Sequence, residues 1–266
     1  MYFIDLYRRE LYIMKKLTTL LAIIIIAVAC KTDPKQDASK TSETKKEKFP
    51  ETLASVFKKH GGIDNWRAAR TLSFNRGEEA HTVDLWSRKT VVNSPKYSMG
   101  YDGVNVWLSE KDSGSYKGNP SFYYNLFFYF YAMPFVLADD GIVYSEADPI
   151  TFEGVSYPGI KISYEANVGT SPDDNYILYY NPTNFQMEWL AYTVTFRSKK
   201  PSDKFNLIRY GEWEVVDGFR LPKKIAWFKK DENGQPTEPA RDPMEFTLAL
   251  VKKDALPDSF YVKPTE

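Results

Sequence analysis

The chain has one cysteine in 266 residues, Cys30, and only two histidines, His60 and His81. A single cysteine excludes an intrachain disulfide framework, and two histidines leave little for a metal centre, which gathers His, Cys and carboxylates at defined spacings. Neither charge dominates: 35 basic residues stand against 35 acidic ones. Without residues 1–29 the balance is 31 against 33 over 237 residues, lacking the basic excess of a nucleic-acid binder. No phosphate-cradling glycine loop, G-x-S-x-G motif or supported S-x-x-K motif is present. Nor is there a 20–50-residue repeat of the kind that builds a propeller or solenoid. The fold must stand on a hydrophobic core, for which this length suffices in one domain.

The longest apolar run is short. Leu17 to Ala29 is 13 residues, whereas a spanning helix needs roughly 20. Lys15 and Lys16 precede it, Ala27 and Ala29 are small, and Cys30 closes it. This is the pattern of a lipoprotein signal peptide over 1–29, with Met14 the expected start and Cys30 the lipidated mature N-terminus. More than one acyl chain on that cysteine supplies what stable anchoring takes. Lys31, where an Asp would retain the protein in the inner membrane, directs the expectation to the outer membrane, facing the periplasm or the cell surface. Lys31 to Lys48 has no aromatic or large aliphatic residue, so 30–48 reads as a disordered tether.

The domain is expected over 49–266. Leu53, Val56, Phe57 and His60 fall on one helical face. Gly61-Gly62 end that helix, and Asp64 is expected to cap a second turn bearing Trp66 and Ala69. His60 at the helix end suits packing and a favourable interaction with the helix dipole. His81 is expected at a strand edge; Asp84, three residues on, points to the opposite face, so the two make no dyad.

Alternation and turn chemistry predict strands at 71–76, 81–91, 96–101, 104–108, 150–157, 160–164, 175–181, 186–197, 205–216, 219–229 and 245–252. Asp102-Gly103, Pro158-Gly159, Asn181-Pro182, Asp217-Gly218 and Asn233-Gly234 are the expected turns between them. Several strands are apolar on both faces: Met187, Trp189 and Ala191 on one side of 187–196, Leu190, Tyr192, Val194 and Phe196 on the other. Such a sheet is covered twice, or curves with one face lining a cavity.

Ser121 to Leu137 holds nine aromatic residues in 17. Phe127, Phe130 and Tyr131 share a helical stripe, and Tyr124, Phe128 and Tyr129 surround the rest; a helix apolar all round is buried. Pro134 should end or kink it. Two readings stay open: a core helix that plugs a curved sheet, or one whose rings also line an apolar ligand pocket or form a lid. Asp139-Asp140-Gly141 and Asp173-Asp174-Asn175 lack the alternate ligands of a calcium loop and read as turns. Glu188, Glu212 and Glu214 read as solvated strand faces. No catalytic residue, metal or cofactor is expected.

The helix ending His60-Gly61-Gly62-Ile63-Asp64-Asn65-Trp66, the phrase Tyr179 to Met187, and Tyr210 to Ile225 with its turn Asp217-Gly218-Phe219-Arg220-Leu221-Pro222 carry a resemblance. Over about 49–252 the chain resembles the LolA/LolB-type lipoprotein-carrier superfamily, and within it outer-membrane lipoproteins of Bacteroidota type. The resemblance implies a mainly β (α+β) fold: a strongly curved antiparallel sheet forming an incomplete β-barrel, its concave face plugged by helices. It also implies an apolar cavity that holds acyl chains, although the aromatic segment departs from an aliphatic lining. Phe127, Phe128, Phe130, Tyr131, Trp189, Tyr192 and Trp213 are the candidate ligand-binding residues. The expected partners are the membrane, through the anchor, a lipid or acyl ligand, and an envelope protein. Three functions compete: a binding protein for an apolar or amphipathic ligand; a structural or interaction module with a packed cavity; and a lipid or glycan hydrolase. The last needs convergent titratable groups, for instance around His60 and Asp64.

Overall fold

The computed structural model describes residues 49–139, 141–164, 174–196, 198 and 200–265; the expected signal peptide, Cys30 and the tether lie outside them. Helix α1 (Glu51–Lys59) buries Leu53, Val56 and Phe57, as its spacing requires. Gly62 is the N-cap of α2 (Ile63–Ala68), and Asp64 lies within its first turn. The expected cap at Asp64 is thus displaced by two residues, because Gly62 supplies the non-helical φ of 89° that turns the chain.

Two runs of antiparallel strands follow. The first holds β1 (Thr71–Arg76), β2 (Glu79–Asp84), β3 (Thr90–Asn93), β4 (Tyr97–Tyr101) and β5 (Val106–Glu110). The second holds β6 (Ile142–Phe152), β7 (Val155–Tyr164), β8 (Tyr176–Tyr180), β9 (Met187–Tyr192), β10 (Asn206–Val216), β11 (Phe219–Lys230) and β12 (Pro236–Pro239). Each run pairs in simple sequence order. The closing segment joins them: β13 (Met244–Glu245) pairs with β11, and β14 (Thr247–Lys252) pairs with β1. Between them the Phe246 N–H donates to the Lys223 carbonyl at 2.8 Å.

The sheet curls around the helical segments. Leu72 and Phe74 from one half and Ile162, Leu190 and Ile208 from the other share a single core with Phe57, Trp66, Tyr131 and Phe135. This is the expected incomplete barrel, mainly β and antiparallel, with helices on its concave face. A second core lies behind it, where Ile150, Tyr157, Tyr179, Trp189, Ala191 and Leu207 pack together.

Several boundaries differ from the sequence reading for local reasons. The expected strand 81–91 is β2 and β3 joined by a turn over 85–89, where Asp84 accepts from the Trp86 and Ser87 N–H groups. Pro158-Gly159 is not a turn: it lies inside β7, and the β6–β7 turn is Glu153-Gly154, with φ of 50° and 80°. Ala147 pairs with Gly159 and Ile150 with Tyr157, so Asp148 and Pro149 bulge opposite Pro158. A residue without an N–H is tolerated where the ladder is interrupted. β9 stops at Tyr192, short of the expected 197, and Thr193 and Thr195 bond instead to Asn175 and Asp174.

The aromatic segment is not one helix. It forms α3 (Pro120–Tyr123), α4 (Leu126–Tyr131) and a 3-10 turn (Phe135–Ala138). Asn119 caps α3 by accepting from the Ser121 N–H at 2.9 Å, and Pro134 ends the helical run as expected. No helix among the described residues is long and apolar enough to cross a membrane.

Candidate functional site

The four α4 candidates are brought together and turned inward. Phe127, Phe128, Phe130 and Tyr131 are all buried in the main core. Tyr131 sits between Phe74 and Phe246, at 4.3 and 4.7 Å between ring centres. Phe130 meets Tyr192 edge-on at 5.1 Å and Trp227 at 6.0 Å. Arg76 lies over Phe127 at 4.2 Å and Arg88 over Phe128 at 5.0 Å, arrangements in which the ring face attracts the cation. Trp213 is half-buried on the same side, 4.6 Å from His60 and stacked on Tyr210 at 5.7 Å.

Trp189 does not join them. It is fully buried in the second core, packed on Phe152, Phe228 and Tyr157. Alternation along β9 sends it to the face opposite Leu190 and Tyr192. Met187, which shares Trp189's side by simple alternation, instead reaches the main core. Tyr179 pairs with Trp189 but Tyr180 pairs with Met187, so Glu188 is the extra residue of a bulge that turns Met187 over.

A row of tyrosines crosses the concave face at one end of the sheet. Register places Ile162 opposite Tyr176, and Tyr176 opposite Tyr192. Tyr164 follows Ile162 by two positions and so shares its face. The next level inward is aliphatic: Leu178, Leu190 and Ile208 pair across β8, β9 and β10. Tyr164 and Tyr176 meet edge-on at 6.2 Å. Tyr129, from α4, stands near enough that its charge would oppose ionisation of either. Burial is the main cause pushing all three phenols up, so each remains a neutral hydrogen-bond donor.

Neighbouring tyrosine hydroxyls have partners. Tyr144 donates to the Leu137 carbonyl at 2.6 Å, Tyr210 donates to the Phe130 carbonyl at 2.9 Å, and Tyr192 accepts from Trp227 Nε1 at 2.8 Å. Among the described residues the hydroxyls of Tyr129, Tyr164 and Tyr176 have none, and they are not among the fully enclosed orphans, which include Tyr131 and Tyr261. The nearby carboxylates are committed: Arg88 donates to Asp139 at 2.6 Å, and Asp174 accepts from the Thr195 N–H and hydroxyl at 2.6 and 2.8 Å. Among the described residues the rim therefore offers apolar ring surfaces with donor tips that have no partner, suited to an apolar molecule carrying a hydrogen-bond acceptor.

A polar cluster that sequence reasoning overlooked lies under Phe127. His81 is interior, not at an edge, since β2 pairs with β1 on one side and β3 on the other. Its Nε2 donates to Glu79 at 3.2 Å. The Glu79 carboxylate also accepts from Arg76 at 2.7 and 3.1 Å, from the Tyr123 hydroxyl at 2.9 Å, and from the Tyr97 hydroxyl. Burial raises its pKa, but hydrogen bonds from His81, Tyr97 and Arg76 outweigh that and hold it at about 2. The available signal was Glu79 two residues before His81, which puts both on one strand face.

Three surface clefts among the described residues lie elsewhere. One of 490 Å³ runs beside Tyr144, Pro158 and Tyr180, one of 380 Å³ lies between α2 and the β10–β11 turn, and one of 140 Å³ lies beside Trp86 and Arg88. None is lined by any of the seven ligand-binding candidates.

Comparison with known proteins adds the following. No curated protein matches the sequence. Among solved structures, the chain is similar to a LolA superfamily protein from Nitrosomonas europaea, with 10% identity, 79% of this chain and 96% of that one covered, and a TM-score of 0.37. It is also similar to a DUF1329 family protein from Desulfovibrio piger, with 9% identity, 79% and 95% coverage, and a TM-score of 0.45. At these scores the likenesses add nothing to the fold read from the strands. Residues 66–238 match the family model DUF6503, a family of unknown function, and the chain belongs to that family.

Proposed function

We propose that this protein is an outer-membrane lipoprotein, anchored through Cys30, that binds an apolar or amphipathic molecule of lipid or acyl class at the concave face of its half-barrel. The tyrosine row carries the reading: neutral hydroxyls without a described partner stand beside the rings of Phe130, Tyr192 and Trp227. A folded core normally satisfies such donors internally or with water; a cluster left unspent at the rim suits a ligand with an acceptor. Residues 31–266, produced without the anchor and isolated from an envelope extract, test it by lipid mass spectrometry. A stoichiometric acyl ligand that disappears in a folded Phe130→Glu variant is the expected result.

A second reading is a docking module of the envelope whose concavity is packed shut. It is favoured by the burial of Phe127, Phe128, Phe130 and Tyr131 against the chain's own sheet. Protein that is recovered empty and stays empty when offered lipids supports this reading and ends the first.

A further inference from the structure

We propose that the concave rim selects uncharged acyl esters and amides over free fatty acids, with the hydroxyls of Tyr129, Tyr164 and Tyr176 donating to the ligand's carbonyl. This rests on the binding function proposed above and names its ligand class.

Three observations support it. The first is placement. Tyr176 and Tyr192 pair directly at the ends of β8 and β9, Tyr164 lies one step further out at the end of β7, and the residues inward on the same face are Ile160, Leu178 and Leu190. A molecule with an apolar body against Phe130, Tyr192 and Trp227 thus meets the tyrosine hydroxyls at one end.

The second is donor character. A phenol kept neutral by burial gives a hydrogen bond to a carbonyl without introducing charge, and the bond gains strength away from water. Tyr164 and Tyr176 have no described partner to give up when a ligand arrives.

The third is the local charge. Asp139 and Asp174 both oppose ionisation of Tyr164, which places negative charge near the tyrosine tips. Arg88, the cation that acts on Tyr129, donates to Asp139 at 2.6 Å through Nη2. A third carboxylate brought there as a fatty acid would lose its water and face like charge, whereas an ester or amide meets neither penalty. Two cations compete for a carboxylate: Arg88, whose buried Nη1 has no described partner, and Arg241, which lies over Trp227 at 3.8 Å, beyond Tyr192, at the other end of the row.

The test uses displacement of bound diphenylhexatriene by three ligands of equal chain length at pH 8: a monoacylglycerol, an N-acyl amide and the free fatty acid. The ester and amide are expected to bind roughly tenfold or more tightly than the acid, as one or two neutral hydrogen bonds supply. The triple variant Tyr129→Phe, Tyr164→Phe, Tyr176→Phe should erase that difference, and a cooperative denaturant unfolding transition reports that the variant folds. Probe binding with no preference, with an acid preference lost in Arg88→Gln or Arg241→Gln, or with a preference that survives the triple variant overturns the inference while the binding function stands. Failure of the wild-type protein to bind probe or any ligand overturns both.

Discussion

His60 and Arg220 are joined by two hydrogen bonds: the Arg220 N–H donates to the His60 carbonyl at 2.9 Å, and His60 Nδ1–H donates to the Arg220 carbonyl at 2.9 Å. The other ring nitrogen, Nε2, accepts from the Met187 N–H at 3.1 Å. The last residue beyond α1 therefore acts as a short pseudo-strand on the edge of β11 and reaches β9 as well. Burial is the main cause that lowers its pKa to about 4. The ring is neutral near pH 7, so it is held by its hydrogen bonds and packing and not by a charge–dipole attraction. With both nitrogens committed to backbone groups, it is also a poor proton carrier for a hydrolase.

A pH dependence of stability follows. The unfolded histidine takes up its proton near 6.5 and the folded one only near 4. Its stabilising effect is thus complete above pH 6.5 and declines as pH falls toward 4. That difference corresponds to about 3 kcal/mol. His60→Phe keeps volume but leaves the Met187 N–H and the Arg220 carbonyl without their ring partners, which should cost ~2–4 kcal/mol at pH 7. Denaturant unfolding at pH 7 and pH 5 checks both. A variant as stable as the parent, with the same pH slope, would refute the assignment.

Glu79 predicts a separate, more acidic transition. Its folded pKa of about 2 lies below the ordinary value of 4.5. The stabilisation is present above pH 4.5 and is lost as pH falls through 2, amounting to about 3 kcal/mol. Glu79→Gln should flatten the stability curve between pH 4.5 and pH 2.5. It should also leave Arg76 with a weakened network and lower stability at neutral pH by ~3 kcal/mol. Urea titrations across that range give the measurement.

Gly61 and Gly77 make a matched pair. Both have positive φ, 116° and 56°, but a Cβ on Gly61 would meet the Gly218 carbonyl oxygen at 2.5 Å, while one on Gly77 meets nothing within 4 Å. Gly77→Ala should cost only its backbone strain, about 1 kcal/mol. Gly61→Ala adds a backbone collision under the β10–β11 turn and should exceed ~3 kcal/mol. Thermal unfolding of the two variants side by side would show equal shifts if the close approach were absent.

Trp189 separates packing from binding. Trp189→Phe removes surface from the second core, where Phe152 and Phe228 lie 5.1 and 4.9 Å away. A loss of ~1–2 kcal/mol in stability is expected, with no change in affinity for diphenylhexatriene. Tyr192→Ala, which removes the ring that faces Phe130 at the concave rim, should by contrast weaken diphenylhexatriene binding. Weakened probe binding in Trp189→Phe alone would mean the two faces of β9 are exchanged.

Much of the fold was legible because its causes are local. The spacing of Leu53, Val56 and Phe57 requires a one-faced helix, Asp217-Gly218 suits a tight turn, and Ile160 to Ile162 in β7 alternates as strands do. The burial of the aromatic segment was legible too, since rings all round a helix cannot face water. Its division into α3, α4 and a 3-10 turn was not: Asn125 and Pro134 interrupt a run whose composition is otherwise uniform.

Composition, period and turn residues alone determined that the domain is a mainly antiparallel sheet with a buried aromatic plug. Tertiary structure decided everything that depends on register. A bulge at Glu188 reverses Met187, and a bulge at Asp148-Pro149 draws Pro158 inside a strand. Pairing of β7, β8 and β9 gathers Tyr164, Tyr176 and Tyr192, which lie far apart in sequence, into one row. The physical reason is the two-residue period of a strand: a single extra residue exchanges its faces, and no local pattern records where that residue will be accommodated.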